Sequence, residues 1–539
     1  MKKKIYLGLL SLGIVISVGF KSVNTDFFEI AKQIEIFTTI FKEVNMNYVD
    51  EINTAELMNT AITAMLEDLD PYTRFYNEQD VQDARIRQSA NFSSIGASIR
   101  MQDETLVITQ INEDGPANKA GLQIGDVIKK VEGVALTGNQ EEADNLLKGS
   151  PGSILEMEFI RQGVQQKAEL TRVNEKELAV PFYELLADKT GYIVLSKFSR
   201  TASREVEMAV KDLKSQGAEQ LILDLRNNPG GLLGEAVNVT NIFVPKDVQI
   251  TFTKSAIKKY NANYVTKNRP VDTEIPLAVL INERSASASE IVSGSIQDLD
   301  RGVIIGNRSF GKGLVQRPKN MSYGTSAKIT ISRYYTPSGR CIQALKYKDG
   351  ESIRNTSEAY NEFTTKNGRK VFDGGGIMPD IQIETSKVEG VTEALLEQFL
   401  IFDFATQYFY DNKVESIEAF QLSDKDFKKF IDFTEEKGFE FENETEKNFE
   451  KMISSAEDEA LKKILNKEIE ALEKGLANAK KDALKQQREQ IMKLLSKEII
   501  EHYFYEKGVF TYEIKKGQEI STAQETLTNL NKYNAILQP

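Results

Sequence analysis

Between Glu175 and Glu384, short apolar runs alternate with stretches of helical spacing: GYIVLSKF, SREVEMAVKDLKSQ, QLILDL, GEAVNVTNIFV and LAVLI follow one another. A strand that is apolar at successive positions leaves no face for water. Both faces must be covered, and helices returning between such strands are what cover them. This order predicts an α/β domain with a buried sheet, and residues 175–390 are expected to hold any chemistry.

The chain has 539 residues, more than one core can organise, so several domains are expected. Residues 27–90 show apolar positions at helical spacing, as in IAKQIEIFTTIFKEV and LMNTAITAMLEDL, broken by the turn LDPYT. They predict a small helical domain. Residues 91–174 change to short β-rich runs such as TLVITQI, DVIKKVEGV and ILEMEFIRQ, separated by Gly and Pro, which predicts a compact β module. Residues 391–539 are rich in Lys and Glu, with Ile491, Leu494, Leu495, Ile499 and Ile500 on one helical face. They predict a helical region that packs on itself or on a partner.

The first 26 residues begin MKKKIYLGLLSLGIVISVGFKS, a basic start before an apolar run of signal-peptide length. This predicts export to the periplasm or cell envelope. No small-x-small site follows Phe20, so removal and retention as an anchor both stand.

A formal charge of −12 without a long basic run argues against a nucleic-acid grip. One cysteine, Cys341, and one histidine, His502, exclude an internal disulfide and argue against a zinc site of His and Cys. A serine triad needs a histidine beside its serine, and His502 lies in KEIIEHYF, which reads as a helix face.

LAVLINERSASASEIVSGSIQDL reads as a strand, a turn and a helix starting near Ser287. Free N–H groups at a helix start face developing negative charge, so the Ala288 amide could stabilise an oxyanion formed at Ser287. Alone, the serine run reads more simply as a helix cap with small-residue packing. The balance changes with IIGNRSFGKGLVQ, where Lys312 stands between glycines and close to Phe310, Leu314 and Val315. Apolar neighbours would desolvate the ammonium group and lower its pKa, and a neutral amine can accept a serine proton. Gln316 could hold that amine by hydrogen bonding. In LILDLRNNPGGLLGEA, a strand ends in a glycine-rich turn that could offer a second amide from Gly230 or Gly231, with Asp224 and Arg226 pinning the turn.

The motifs SASASE, FGKGLVQ, DLRNNPGG and RYYTPSGRCIQ together resemble those of the carboxyl-terminal processing proteases, serine peptidases with a Ser-Lys dyad. The resemblance covers roughly Phe27 to Glu384. It implies Ser287 as nucleophile, Lys312 as base, Gln316 as the supporting glutamine, and an oxyanion hole from Ala288 with Gly230 or Gly231. It implies a crotonase-like ββα core and neither metal nor organic cofactor. The β module resembles a PDZ domain, with NFSSIGASIR as its carboxylate-binding loop and GPANKAGLQIGDVIKKVEG after it. A protein tail would add as a strand, with amides near Ile95, Gly96 and Ala97 holding its carboxylate. Arg161, at the module's border, is a candidate to report tail binding to the active site. The implied function is endoproteolysis near the C-terminal tails of exported proteins. Residues 391–539 lie outside these motifs and could wrap the core, self-associate or receive an adaptor.

Two other readings remain at this point. An inactive scaffold would hold tails without cutting them, and an acyl-CoA enzyme of crotonase type would use paired amides for an enolate.

Overall fold

The computed structural model describes residues 27–82, 95–102, 105–136, 140–174, 178–348, 351–354, 360–383, 390–441, 444–458 and 461–538. The basic and apolar segment 1–26 and residues 91–94 of the loop expected to hold a carboxylate lie outside the described residues.

The core is a six-stranded sheet in the order Ile381–Gln382, Val303–Gly306, Leu277–Ile281, Gln220–Asp224, Thr190–Val194, Phe182–Leu185. The first five strands are parallel, and Phe182–Leu185 closes the edge as an antiparallel hairpin. Its four central strands are buried at every position. Successive residues on a strand face opposite sides. Leu221, Leu223, Leu277, Val279 and Ile281 accordingly pack with helices Ala202–Ser215, Leu233–Phe243 and Ala288–Asp298. Ile222, Ala278, Leu280 and Ile305 face the other way, onto Ile520, Ala523, Leu527, Tyr533 and Leu537. Those residues belong to helices Gln518–Thr528 and Leu530–Leu537 at the end of the chain. The carboxyl-terminal region therefore supplies the third layer of the domain, and no second copy is needed to cover that face of the sheet.

A second, antiparallel sheet orders Arg74–Tyr76, Ser326–Tyr335, Gln249–Lys254 and Ala262–Val265, with Leu314–Asn320 also paired to Ser326–Tyr335. Its first strand comes from the amino-terminal region. The region carries the expected helices, 27–47 and Thr54–Glu67. Thr54–Glu67 buries no residue, and Phe27, Phe28, Ile30, Ile34 and Ile40 are all more than half exposed. These helices carry no core of their own among the described residues. The region is joined to the body through the turn Asp70–Thr73 and the strand Arg74–Tyr76.

The β module is a sheet of Ala97–Gln102, Thr105–Ile111, Val127–Val131, Ile154–Arg161 and Val164–Thr171, with Val134–Ala135 on the side. Leu106, Ile108, Leu155 and Met157 form its centre. The carboxyl-terminal helices grip it from outside. Phe402 joins its core, Gln102 donates to Asp403 at 2.9 Å, Gln110 to Glu501 at 2.9 Å, and Asn118 to Tyr505 Oη at 2.6 Å. Arg161 does not reach toward the α/β core. Its guanidinium pairs with buried Asp126 at 2.6 Å and donates to the Gly121 carbonyl at 2.8 Å, so it is a strut inside the module.

The third layer makes a direct prediction. Leu527→Ala, which opens a cavity between the last helices and the sheet, should cost about 2–5 kcal/mol in chemical denaturation monitored on the full chain. A loss below about 0.5 kcal/mol would mean that the tail does not cover this face.

Candidate active site

The strand Leu277–Ile281 ends in Asn282–Ala286, and the helix Ala288–Asp298 starts immediately after Ser287. Ser287 has φ +56° and ψ −108°, a conformation that a residue with a Cβ adopts only under constraint. The constraint is visible. Glu290, one turn into the helix and wholly buried, accepts from the Ser287 amide at 2.8 Å. The same carboxylate accepts from Ser309 Oγ at 2.5 Å, the Gly311 amide at 2.7 Å and the Lys312 amide at 2.9 Å. Tyr334 Oη closes the arrangement, donating to the Lys312 carbonyl at 2.5 Å and lying 3.1 Å from that of Ser287. The segments of Ser287 and Lys312 are thus clamped by one carboxylate and one phenol. Burial pushes the Glu290 carboxyl up from its ordinary range, while its four donors pull it back.

The PGG turn comes against the serine from the neighbouring strand. Gly230 has φ +103°, and a Cβ there would stand 2.7 Å from the Ala286 carbonyl and 2.9 Å from the Ala288 amide and Ser287 Cβ. Only glycine permits this approach. The two glycines differ in their amides. Gly230 N–H donates to buried Asn228 Oδ1 at 2.9 Å, whereas no hydrogen bond is formed by the amides of Gly231 or Ala288 among the described residues. Gly230 is therefore the close-approach residue, and Gly231 and Ala288 hold the open donors.

Asp224 and Arg226 brace this turn as their positions suggested. The Arg226 guanidinium pairs with Asp224 at 2.7 Å, and Asp224 accepts from Tyr192 Oη at 2.6 Å. Arg226 also meets Glu513 at 3.3 Å and Glu519 at 3.4 Å, both on the carboxyl-terminal helices.

Lys312 is half-buried, and its pKa lies below the ordinary lysine range. Burial is the largest cause and the nearby Lys328 adds to it, against Glu290 and Asp70, which pull upward. Its Nζ stands 4.1 Å from the centroid of the Tyr72 ring, and no hydrogen bond joins it to Ser287 Oγ. Gln316 Nε2 donates to Thr330 Oγ1 at 3.2 Å across the sheet, and no hydrogen bond joins its amide to Lys312. A register shift between Val315 and Gln316 accompanies this placement.

His502 is far from this chemistry in the fold. It is buried in the carboxyl-terminal helices, 2.9 Å from Thr406 Oγ1 and 2.8 Å from the Glu498 carbonyl, and burial depresses its pKa to about 4. Ile95 and Gly96 form a turn whose carbonyls accept from Ala117 and Asn112, each at 2.8 Å, and Ala97 opens an edge strand of the β module. Glu290, Tyr334 and Tyr72 were not singled out from the sequence. Glu290 had a signal: Ser-x-x-Glu at a helix start is a capping-box pattern. Among the described residues no group of acidic, His and Cys side chains could hold a metal ion.

Residues 189–349 match the model described as Peptidase family S41, residues 93–171 that of the PDZ domain, and residues 391–527 that named "Probable PDZ-protease, C-terminal helical domain". The carboxy-terminal-processing protease of Bartonella bacilliformis is 34% identical over 321 residues, 58% of this chain and 73% of that protein. The carboxyl-terminal-processing protease of Synechocystis is 31% identical over 349 residues, 60% of this chain and 81% of that protein. A solved structure of the photosystem II D1 C-terminal processing protease aligns at 27% identity over 67% of this chain and 96% of its own, with a TM-score of 0.37.

The clamp predicts a specific defect. Glu290→Gln turns an amide N–H₂ toward donors it cannot satisfy, and should lower turnover at least 100-fold, with a stability loss of about 1–3 kcal/mol for each donor left unpaired. Steady-state rates and denaturation of the variant check both.

Proposed function

Because the chain belongs to the carboxyl-terminal processing proteases, serine peptidases of family S41 that carry a PDZ domain, we propose that Ser287 is its nucleophile and Lys312 its general base. The observation that carries this reading is the shared Glu290 carboxylate, which fixes the backbones of both residues beside two undirected amides. Ser287 Oγ attacks the carbonyl carbon of a peptide bond while its proton passes to the neutral Lys312 amine. The oxyanion accepts from the N–H groups of Ala288 and Gly231, where strong, preorganised donors contribute most. Collapse breaks the C–N bond, the leaving amine takes the proton from Lys312, and water then hydrolyses the acyl-enzyme.

In this reading the PDZ domain selects the substrate. A tail adds as a strand to the edge strand Ala97–Gln102, and its terminal carboxylate is held at the turn Ile95–Ala97. Such tails are extended and apolar at their ends, as in unstructured polypeptides. The basic start and apolar run of residues 1–26 support a place in the cell envelope, with substrates that are themselves exported.

The test is hydrolysis of a peptide ending in small apolar residues by the purified chain. Ser287→Ala and Lys312→Ala should each reduce cleavage more than 1,000-fold, while Ser287→Ala still binds the peptide. Acylation requires the neutral amine, so its rate should rise with pH through a single midpoint below about 10.4, with no inflection near 6.5. Equal turnover by Ser287→Ala would overturn the assignment. An inflection that disappears in His502→Asn would transfer the base role to the histidine.

A further inference from the structure

The turn Asp70–Thr73, which leads out of the amino-terminal helices, touches both residues assigned to the base side of the site. The Tyr72 ring lies under the Lys312 ammonium group at 4.1 Å, a distance at which the ring quadrupole attracts a cation. The ring is held in place from behind by Tyr347, edge to face at 6.1 Å and 87°. The turn itself is stiff. Asp70 accepts from the amides of Tyr72 and Thr73, each at 2.8 Å, and from Thr73 Oγ1 at 3.0 Å. Thr73 Oγ1 lies 3.3 Å from Thr330 Oγ1 and accepts from the Thr330 amide at 3.2 Å. Thr330 Oγ1 is the group to which Gln316 donates. The lysine and its expected glutamine partner are therefore both engaged by this turn, the first through Tyr72 and the second through Thr73 and Thr330.

We propose that Tyr72 is a positioning residue for the general base: its ring holds the Lys312 ammonium group off Ser287 Oγ in the resting enzyme. The inference rests on the assignment of Lys312 as base. The groups facing Lys312 are Tyr72, Lys328, Glu290 and Asp70, with Tyr334 on its carbonyl. Of these, Tyr72 stabilises the cation by contact with Nζ itself. Removing the ring while keeping apolar cover should therefore favour the neutral amine, and the enzyme should become faster at neutral pH.

A fluorophosphonate probe tests this on the full chain without requiring a bound tail. Ser287 Oγ attacks phosphorus, fluoride leaves, and the hydroxyl proton goes to Lys312. In Tyr72→Leu the midpoint of the pH–rate profile should move to lower pH by about half to one and a half units, with an unchanged alkaline plateau. At pH 7 this is an acceleration of about 3- to 30-fold. Tyr72→Phe, which keeps the ring, should restore the wild-type midpoint. Tyr72→Met repeats the reading if the leucine variant does not fold. An unmoved midpoint in the ring-less variants, with Lys312→Ala inert to the probe, overturns the role of Tyr72 and leaves the dyad intact. If Lys312→Ala reacts at the wild-type rate, the base assignment itself fails.

Discussion

The arrangement depends on a carboxylate that is buried where an unpaired charge would be very unfavourable. Glu290 is tolerable in the interior because four donors converge on it, and those donors belong to the serine turn and the lysine loop. The same bonds that stabilise the buried charge fix the relative position of two segments that lie 25 residues apart by number, 287 and 312. They also hold Ser287 in its left-handed conformation, which an isolated helix cap would not adopt. Removing the carboxylate would release the strain and unpair the donors together.

Two layers cover the sheet from which this centre is built. On one side the helices between the parallel strands cover the sheet, and on the other the last two helices of the chain do so. The long helix Arg488–Lys516, broken by the non-helical Tyr505, links otherwise separate parts of the molecule. Glu501, Tyr505 and Lys507 on it meet the PDZ domain, and Glu513 meets Arg226 beside the PGG turn. The carboxyl-terminal region is thus part of the peptidase body and also the support on which the PDZ domain rests.

Much of the site was legible because its chemistry is local. Strand, turn and helix boundaries around SASAS placed Ser287 and the Ala288 amide, and the glycines flanking Lys312 marked a close backbone approach. The ring that lies against its ammonium group, Tyr72, comes from a distant part of the chain and was not readable. The choice between Gly230 and Gly231 was not readable either, since it turns on whether Asn228 Oδ1 captures one amide. Nor was Gln316, whose side chain follows the register of Leu314–Asn320 against Ser326–Tyr335 and meets Thr330. The amino-terminal helices were legible from their apolar spacing, which does not report whether anything in the same chain covers them.

What the sequence determined by itself were the elements with their own periodicity and the turns at which they end. It placed the buried sheet, the β module and the segments that carry Ser287 and Lys312, because apolar alternation and glycine punctuation are properties of neighbouring residues. Only the tertiary structure decided which carboxylate joins those residues, which amides stay open, and that a tyrosine from the amino-terminal region lies against the lysine. Those contacts unite positions as distant as 72, 290, 312 and 334, and they form only when the sheets close on one another.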